Sequence, residues 1–172
     1  MDIFNRRNIF DKNIYPAYRN IVEDVNISEY KSLKSKFERL RELTREISHQ
    51  INMLDQYTSY NGRYEEYTTA TYNILTKIYN LSEEADDFIG DIIIEASESH
   101  YNNIENFEWY LKRMEYEIFE AIMGDALHLI NYIEKGYVTT LEFLTELNDF
   151  VRGTRRALRE VERMIDEVLR HI

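Results

Sequence analysis

Helix-breaking residues are almost absent from this chain, whose 172 residues include five glycines and one proline. Glycine and proline supply most tight turns, so a chain this poor in both has little material for hairpins or for many loops. No cysteine is present, which excludes disulfides, thiolate metal sites and thiol nucleophiles. The N-terminus lacks the long apolar core of a secretory signal. A single helical domain in the cytoplasm is therefore expected.

The few breaking and capping signals divide the chain into helical segments. Pro16 can open a short helix, Asn61-Gly62 is a break, and Lys135-Gly136 is a helix stop with a cation in the last turn. Asn102 and Thr139 each have capping-box spacing to a later glutamate. The predicted segments are an N-terminal arm with a short helix over 1–27 and long helices over 28–57, 63–99, 103–135 and 139–171.

Apolar residues recur at spacings of three and four in the long segments. Leu40, Leu43 and Ile47 are typical of the first, and Val161, Ile165 and Val168 of the last. This spacing places the apolar residues on one face of each helix. Similar lengths and short connections favour an up-down-up-down arrangement. The predicted fold class is all-α, an antiparallel bundle of four long helices with a short N-terminal helix or arm.

The third long helix carries more apolar surface than one seam requires. One stripe, which includes Leu111, Met114 and Ile118, suits the bundle core. A second stripe lies roughly 140° away round the helix and contains Trp109, Tyr116, Phe119, Met123, Leu127 and Ile130. The N-terminal arm could cover it, or another copy or a different protein could dock on it. Trp, Tyr, Phe and Met are residues that interfaces favour, so these six are predicted interface residues.

The net charge of −11 is unevenly distributed along the chain. Residues 63–134 carry 16 acidic and four basic side chains. An outward acidic stripe is predicted on the second long helix, formed by Glu84, Asp87, Asp91 and Glu98. Its field repels phosphate, which argues against nucleic acid as a partner on that side. The stripe could instead meet a metal ion or a basic protein surface.

The last long helix carries a predicted basic surface opposite its apolar seam, formed by Arg152, Arg156, Arg159 and Arg163. Guanidinium groups bind carboxylate or phosphate in a bidentate way. Three interpretations follow from the residues. The arginines could be paired with acidic neighbours on their own helix, could contact an acidic surface of another copy or of a protein partner, or could bind RNA or DNA.

One carboxylate pattern resembles an enzyme motif. Glu117-x-x-Glu120, followed by Glu146-x-x-Asp149, is similar to the paired carboxylates of all-α NTP pyrophosphohydrolases. That resemblance implies magnesium and a nucleotide substrate. Glu117, Glu120 and Asp149 point away from the main apolar faces of their helices, which weighs against convergence in one cleft.

A second pattern resembles the Glu-x-x-His pairs of ferritin-like di-iron bundles, which need inward-pointing ligands. It consists of Glu46-x-x-His49 and Asp125-x-x-His128. Helical phase places His49 opposite its apolar stripe, so His49 is predicted to face water. Asp125 falls within the apolar face of its helix and is a candidate buried carboxylate.

These observations favour a non-enzymatic interaction protein that self-associates or binds another protein. One variant is an acidic decoy that inhibits a nucleic-acid-binding protein by occupying its phosphate-binding surface. The alternative is a metal-dependent nucleotide pyrophosphohydrolase that uses helix carboxylates. No cofactor, resident metal, membrane contact or small-molecule substrate is predicted.

Overall fold

Four long helices form the described part of the chain. The computed structural model describes residues 15–58, 64–98, 107–137 and 141–171, and their side chains apart from those of 15–30 and 64–66. Helix α1 is Tyr15–Asp55, α2 is Tyr64–Glu98, α3 spans 108–134 and α4 is Leu141–His171. Within α3, α-helical turns over Glu108–Lys112 and Glu120–Glu134 flank a π-helical segment, Arg113–Phe119. These ranges contain no strand, which confirms the all-α prediction.

Each helix packs against two neighbours, so the four helices form a closed ring. Helix α1 contacts α2 and α4, and α3 contacts the same two helices. Arg45 of α1 pairs with Glu162 of α4, whereas Arg155, earlier in α4, pairs with Asp55, later in α1. The two helices are therefore antiparallel, as the bundle prediction requires. Helices α2 and α4 stand at opposite corners of the ring.

The apolar faces predicted from the spacing meet in one continuous core. Leu40, Ile47 and Leu54 of α1 are fully buried, as are Val161 and Ile165 of α4. Each large aliphatic side chain removed from water contributes about 1.5 to 3 kcal/mol, which stabilises the ring against the entropy of ordering the chain. In the described ranges, the length and apolarity that a membrane crossing demands are not found together in any helix.

The N-terminal part of α1 differs from the sequence expectation. The short helix expected from Pro16 and the long helix expected from Ser28 form one continuous helix, Tyr15–Asp55. No glycine or proline follows Pro16 in this stretch, so no residue there stops the helix, and a serine is tolerated in a helix interior. Residues 1–14 of the predicted N-terminal arm and short helix (1–27), and the predicted caps at Asn102 and Thr139, lie outside the described residues.

The end of α3 is set by the glycine that the sequence indicated. Gly136 has φ of 80°, a conformation that a residue without Cβ adopts at little cost. The Gly136 amide donates to the Ile133 carbonyl at 3.0 Å, and the Tyr137 amide donates to the Tyr132 carbonyl at 2.9 Å. These two bonds are those of a Schellman motif, which satisfies carbonyls at the helix end.

The π-helical segment changes which side chains of α3 enter the core. At its end, the Glu120 amide donates to the Glu115 carbonyl, five residues earlier. A turn closed by such a bond holds one residue more than an α-turn, so later side chains are rotated relative to an ideal α-helix. Phe119 is fully buried and Ile130 is also buried. The prediction that these two residues form an outward docking surface is therefore wrong.

The burial of Phe119 leads to a stability prediction. Phe119→Ala should lower the free energy of unfolding by about 3 to 5 kcal/mol, because it removes a large buried side chain and leaves a cavity. Tyr116→Ala, three residues away on the exposed side of α3, should change it by less than about 0.5 kcal/mol. Urea unfolding of both variants at low protein concentration makes the comparison. Equal effects would contradict the described orientation of the segment.

Candidate functional site: two charged stripes and an acidic cavity

The second apolar stripe of α3 is only partly exposed. Phe119 and Ile130 belong to the core. Of the remaining residues, Tyr116 is 59% exposed and Leu127 is 46% exposed. Trp109 is half-buried against the core and Met123 is half-buried. The guanidinium of Arg113 lies 5.4 Å from the centre of the Trp109 ring, in a cation-π arrangement. The residues Trp109, Tyr116, Met123 and Leu127, hereafter the α3 surface, form a smaller apolar area than predicted.

All four predicted arginines of α4 are exposed, and within the described ranges none of them takes part in an ion pair. These residues, Arg152, Arg156, Arg159 and Arg163, are hereafter the arginine stripe. The acidic residues expected to neutralise them are paired elsewhere. Glu160 binds Arg113 of α3 at 2.6 Å, Glu162 binds Arg45 of α1 at 3.1 Å, Asp166 binds Arg41 of α1, and Glu167 binds Arg170 at 3.1 Å.

The predicted acidic stripe on α2, formed by Glu84, Asp87, Asp91 and Glu98, is also exposed along its length. Glu84 accepts a bond from Arg39 of α1 at 3.2 Å. The other three carboxylates form no ion pair with any residue that the structure describes. Ile94, which is 56% exposed, lies at helical spacing between Asp91 and Glu98. The stripe therefore combines unpaired negative charge with an exposed aliphatic side chain.

A cluster of three carboxylates that the sequence did not indicate lies between α2 and α3. Oxygen atoms of Asp86, Glu115 and Glu120 lie within 4.8 Å of one another. Glu115 and Glu120 are five residues apart, which places them on different faces of an α-helix but on one face of a π-turn. No spacing rule for α-helices could have found them. Oxygen groups at such distances can hold a hard cation or share a proton.

The electrostatics of this cluster favour protonation of one member. Burial raises the pKa of Asp86 from 3.8 to about 6, and the negative charges of Glu120 and Glu115 add to the rise. Burial also raises the pKa of Glu115, and Glu120 contributes again. Three carboxylates that repel one another and lose water are therefore a local source of instability when all are ionised.

A cavity of about 360 Å³ opens between α3 and α4. At its edge, Nε2 of His128 and Oε2 of Glu146 are 3.1 Å apart. The lining residues are Ala121, Ile122, Asp125, His128, Leu129, Glu146, Asp149, Phe150, Gly153 and Thr154. Asp125 is exposed at the cavity, so the prediction that it is buried was wrong. The packing of α3 against α4 leaves this sector of α3 open, whereas helical phase alone assigned it to the apolar face.

The residues of the two enzyme-like patterns do not form one cluster. Glu117 lies 3.6 Å from Arg113 and Glu120 belongs to the three-carboxylate cluster, whereas Glu146 and Asp149 line the cavity. His49 is exposed, as predicted. In the described part of the chain, Asp86, Glu115 and Glu120 are the one group with three or more metal-ligand atoms this close together.

Comparison with protein-family models, with characterised proteins and with solved structures finds no match for this chain.

The raised pKa of Asp86 predicts that removing the charge of this side chain stabilises the fold, by an amount that depends on pH. Because the pKa is higher in the folded state, the protonated side chain contributes stability that is complete below about pH 4 and lost as the pH rises through about 6. Asp86→Asn should therefore raise the free energy of unfolding by about 1 kcal/mol at pH 7, since solvent screening reduces the effect. No gain is expected near pH 4.

Thermal unfolding at the two pH values measures the difference. Asp91→Asn, which neutralises an exposed acid of the same helix, is the control and should show a much smaller change between them. An Asp86→Asn gain of the same size at both pH values would show that the cluster does not carry the effect.

Proposed function

We propose that this chain is a non-enzymatic protein-protein interaction module. In this proposal the arginine stripe of α4 binds the acidic stripe of α2 on a second copy. A different protein with an acidic surface is the other class of partner that the arginine stripe would accept.

The observation that carries this proposal is the set of exposed arginines that form no ion pair with any other described residue of the chain. An ordinary solvated helix face would pair them with acids three or four residues away. Here Glu160, Glu162 and Asp166 are directed toward arginines of α1 and α3. The guanidinium groups of the stripe therefore keep their bidentate donors available for carboxylates of another molecule.

The two stripes are similar in length. At 1.5 Å per residue, the arginine stripe extends over roughly 16 Å and the acidic stripe over roughly 21 Å. Several ion pairs could form together between antiparallel helices of two copies. An exposed ion pair contributes about 0.2 to 1 kcal/mol, so charge alone gives weak, salt-sensitive association. Burial of Ile94, which is 56% exposed beside the acidic stripe, would add apolar stabilisation.

The positions of the stripes also predict the form of the assembly. Helices α2 and α4 are not ring neighbours in the bundle, so the two stripes face away from one another on one molecule. A contact between two different surfaces on opposite sides of the molecule is heterologous. An open assembly of such copies has a free acidic stripe at one end and a free arginine stripe at the other. Such contacts generate rings or open chains of copies rather than a closed two-fold dimer.

The charge of the rest of the molecule favours a protein partner over nucleic acid. The full chain has a net charge of −11, and the surfaces of α2 and α3 carry most of it. A phosphate backbone that approached the arginine stripe would experience this repulsion at low salt. A protein partner can instead present a small patch of carboxylates that contacts only the arginine stripe. Each carboxylate there can accept two hydrogen bonds from one guanidinium group.

A charge exchange tests the proposed contact. Arg159→Glu/Arg163→Glu and Asp87→Lys/Asp91→Lys should each remain monomeric where the parent protein associates, because each variant places like charges opposite one another. An equimolar mixture should associate again, since the reversed stripes attract one another and the unchanged stripes still match. Sedimentation velocity at about 20 mM and about 500 mM salt follows all four samples.

Lys112→Glu is the control for the exchange, because it reverses an exposed charge outside both stripes. It should leave association unchanged. A parent protein that stays monomeric at every salt concentration would refute self-association. Unchanged assembly in both double variants would refute the stripes as the contact.

The α3 surface yields a separate prediction. Leu127→Asp should weaken association about tenfold if this surface contributes, because burial of a leucine is worth about 1.5 to 3 kcal/mol. Tyr137→Asp, which alters another exposed side chain beyond the end of α3, is the matched control. Sedimentation equilibrium measures both constants. Equal constants for the two variants would confine the contact to the charged stripes.

A further inference from the structure

We propose that the cavity between α3 and α4 is a binding site for a small organic cation with an apolar body, such as an alkyl- or arylammonium ion. This inference does not depend on self-association. It rests on the shape of the cavity, on the charge at its edge and on a threonine hydroxyl group in its lining.

The inner wall of the cavity is apolar. Ile122 and Leu129 of α3 and Phe150 of α4 line it, and all three side chains are buried in the bundle. Ala121 and Gly153, which are small, leave the space between the helices open. A volume of about 360 Å³ is at the lower end of the range for small-molecule sites. A short hydrocarbon chain or one aromatic ring matches this wall.

The edge of the cavity is negatively charged. Asp125 of α3 and Glu146 and Asp149 of α4 contribute carboxylates, and no lysine or arginine is among the lining residues. His128 is held by Glu146 at 3.1 Å. Carboxylates from two facing helices around an apolar space favour a ligand with a positive end and an apolar body.

A threonine hydroxyl group in the lining is available to a hydrogen-bonding ligand. Thr154 lines the cavity and is 5% exposed. Its hydroxyl makes no hydrogen bond with any residue that the structure describes. Its oxygen is not among the fully buried polar atoms that lack a partner in the described residues, so it stays accessible to a bound molecule. An ammonium N–H can donate a hydrogen bond to the Thr154 hydroxyl oxygen.

The geometry favours an organic cation over a metal ion. A bound metal requires several ligand atoms close to one another, as in the group formed by Asp86, Glu115 and Glu120. The residues at the cavity do not form such a group among the described side chains. An ammonium ion joined to a hydrocarbon body uses separated carboxylates and the apolar wall together.

The experiment titrates the full chain with hexylammonium, butylammonium and neutral hexanol, followed by amide chemical shifts. Hexylammonium should bind saturably and shift the amides of Gly153 and Thr154. Its affinity should exceed that of butylammonium by about fourfold per methylene, from the transfer free energy of one buried CH₂. Hexanol should bind at least tenfold more weakly, because it lacks the charge.

Two matched glycine substitutions locate the site. A Cβ added at Gly153 or at Gly124 meets nothing within 4 Å, and only Gly153 lines the cavity. Both Gly153→Leu and Gly124→Leu should fold with equal or higher thermal stability, because glycine is a poor helix former. Gly153→Leu should abolish hexylammonium binding, and Gly124→Leu should leave it unchanged. Asp125→Asn/Asp149→Asn should weaken binding at least tenfold.

Three results would overturn the proposal. These are the absence of saturable hexylammonium binding, equal binding by hexanol, and full binding by Gly153→Leu. Saturable binding of Mg²⁺ or Zn²⁺ that Gly153→Leu abolishes, without hexylammonium binding, would assign the cavity to a metal instead. Titration of Arg159→Glu/Arg163→Glu should give the parent hexylammonium affinity, so this result is separable from the outcome for self-association.

Discussion

Each helix of the bundle buries one face, and this constraint determines where most of the charged side chains of the described residues lie. The buried seams bring four helices into a ring in which each contacts two neighbours. Side chains at the borders of a seam then reach the next helix, as Arg45 reaches Glu162 and Arg113 reaches Glu160. Among the described residues, most side chains opposite a seam, such as those of the arginine stripe, form no contact of this kind with another helix. The surface chemistry is therefore a direct consequence of apolar packing.

Helix α4 illustrates this separation. Its buried face includes Val161 and Ile165, and its border acids pair with α1 and α3. The arginines lie on the outer face because they stand opposite the buried seam. Arg156, Arg159 and Arg163 lack a partner on their own helix because Glu160, Glu162 and Asp166 bind arginines of α1 and α3. An ion pair within one helix is worth a few tenths of a kcal/mol. Partly shielded ion pairs between helices compete with it, and the acids of α4 form these interhelical pairs. The same competition makes the outer face of α4 more basic than its composition indicates.

Much of this architecture follows from the sequence, because the spacing of apolar residues and the positions of helix-breaking residues are local properties of the chain. The seams, the helix stop at Gly136, the exposure of His49 and the outward position of both charged stripes were all accessible to helical phase. The ion pairs between helices cannot be predicted in this way, because they depend on which helices are neighbours. The sequence does not indicate the cavity for the same reason, because Asp125 and Asp149 belong to different helices and no spacing along the chain shows that they line one cavity. In the continuous α1, the absence of a helix-breaking residue outweighs the capping signal of Ser28, so the helix does not begin there.

The π-helical segment of α3 explains the remaining differences between expectation and structure. An assignment of faces at about 100° per residue assumes an α-helix throughout. A segment closed by bonds five residues apart violates that assumption at its own position and for every residue beyond it. Phe119 is thereby directed into the core, and Glu115 and Glu120 are brought to one side. Burial of a phenylalanine offsets the repulsion between those carboxylates. The fold therefore tolerates a destabilising acidic cluster because the same change of helical phase also fills the core.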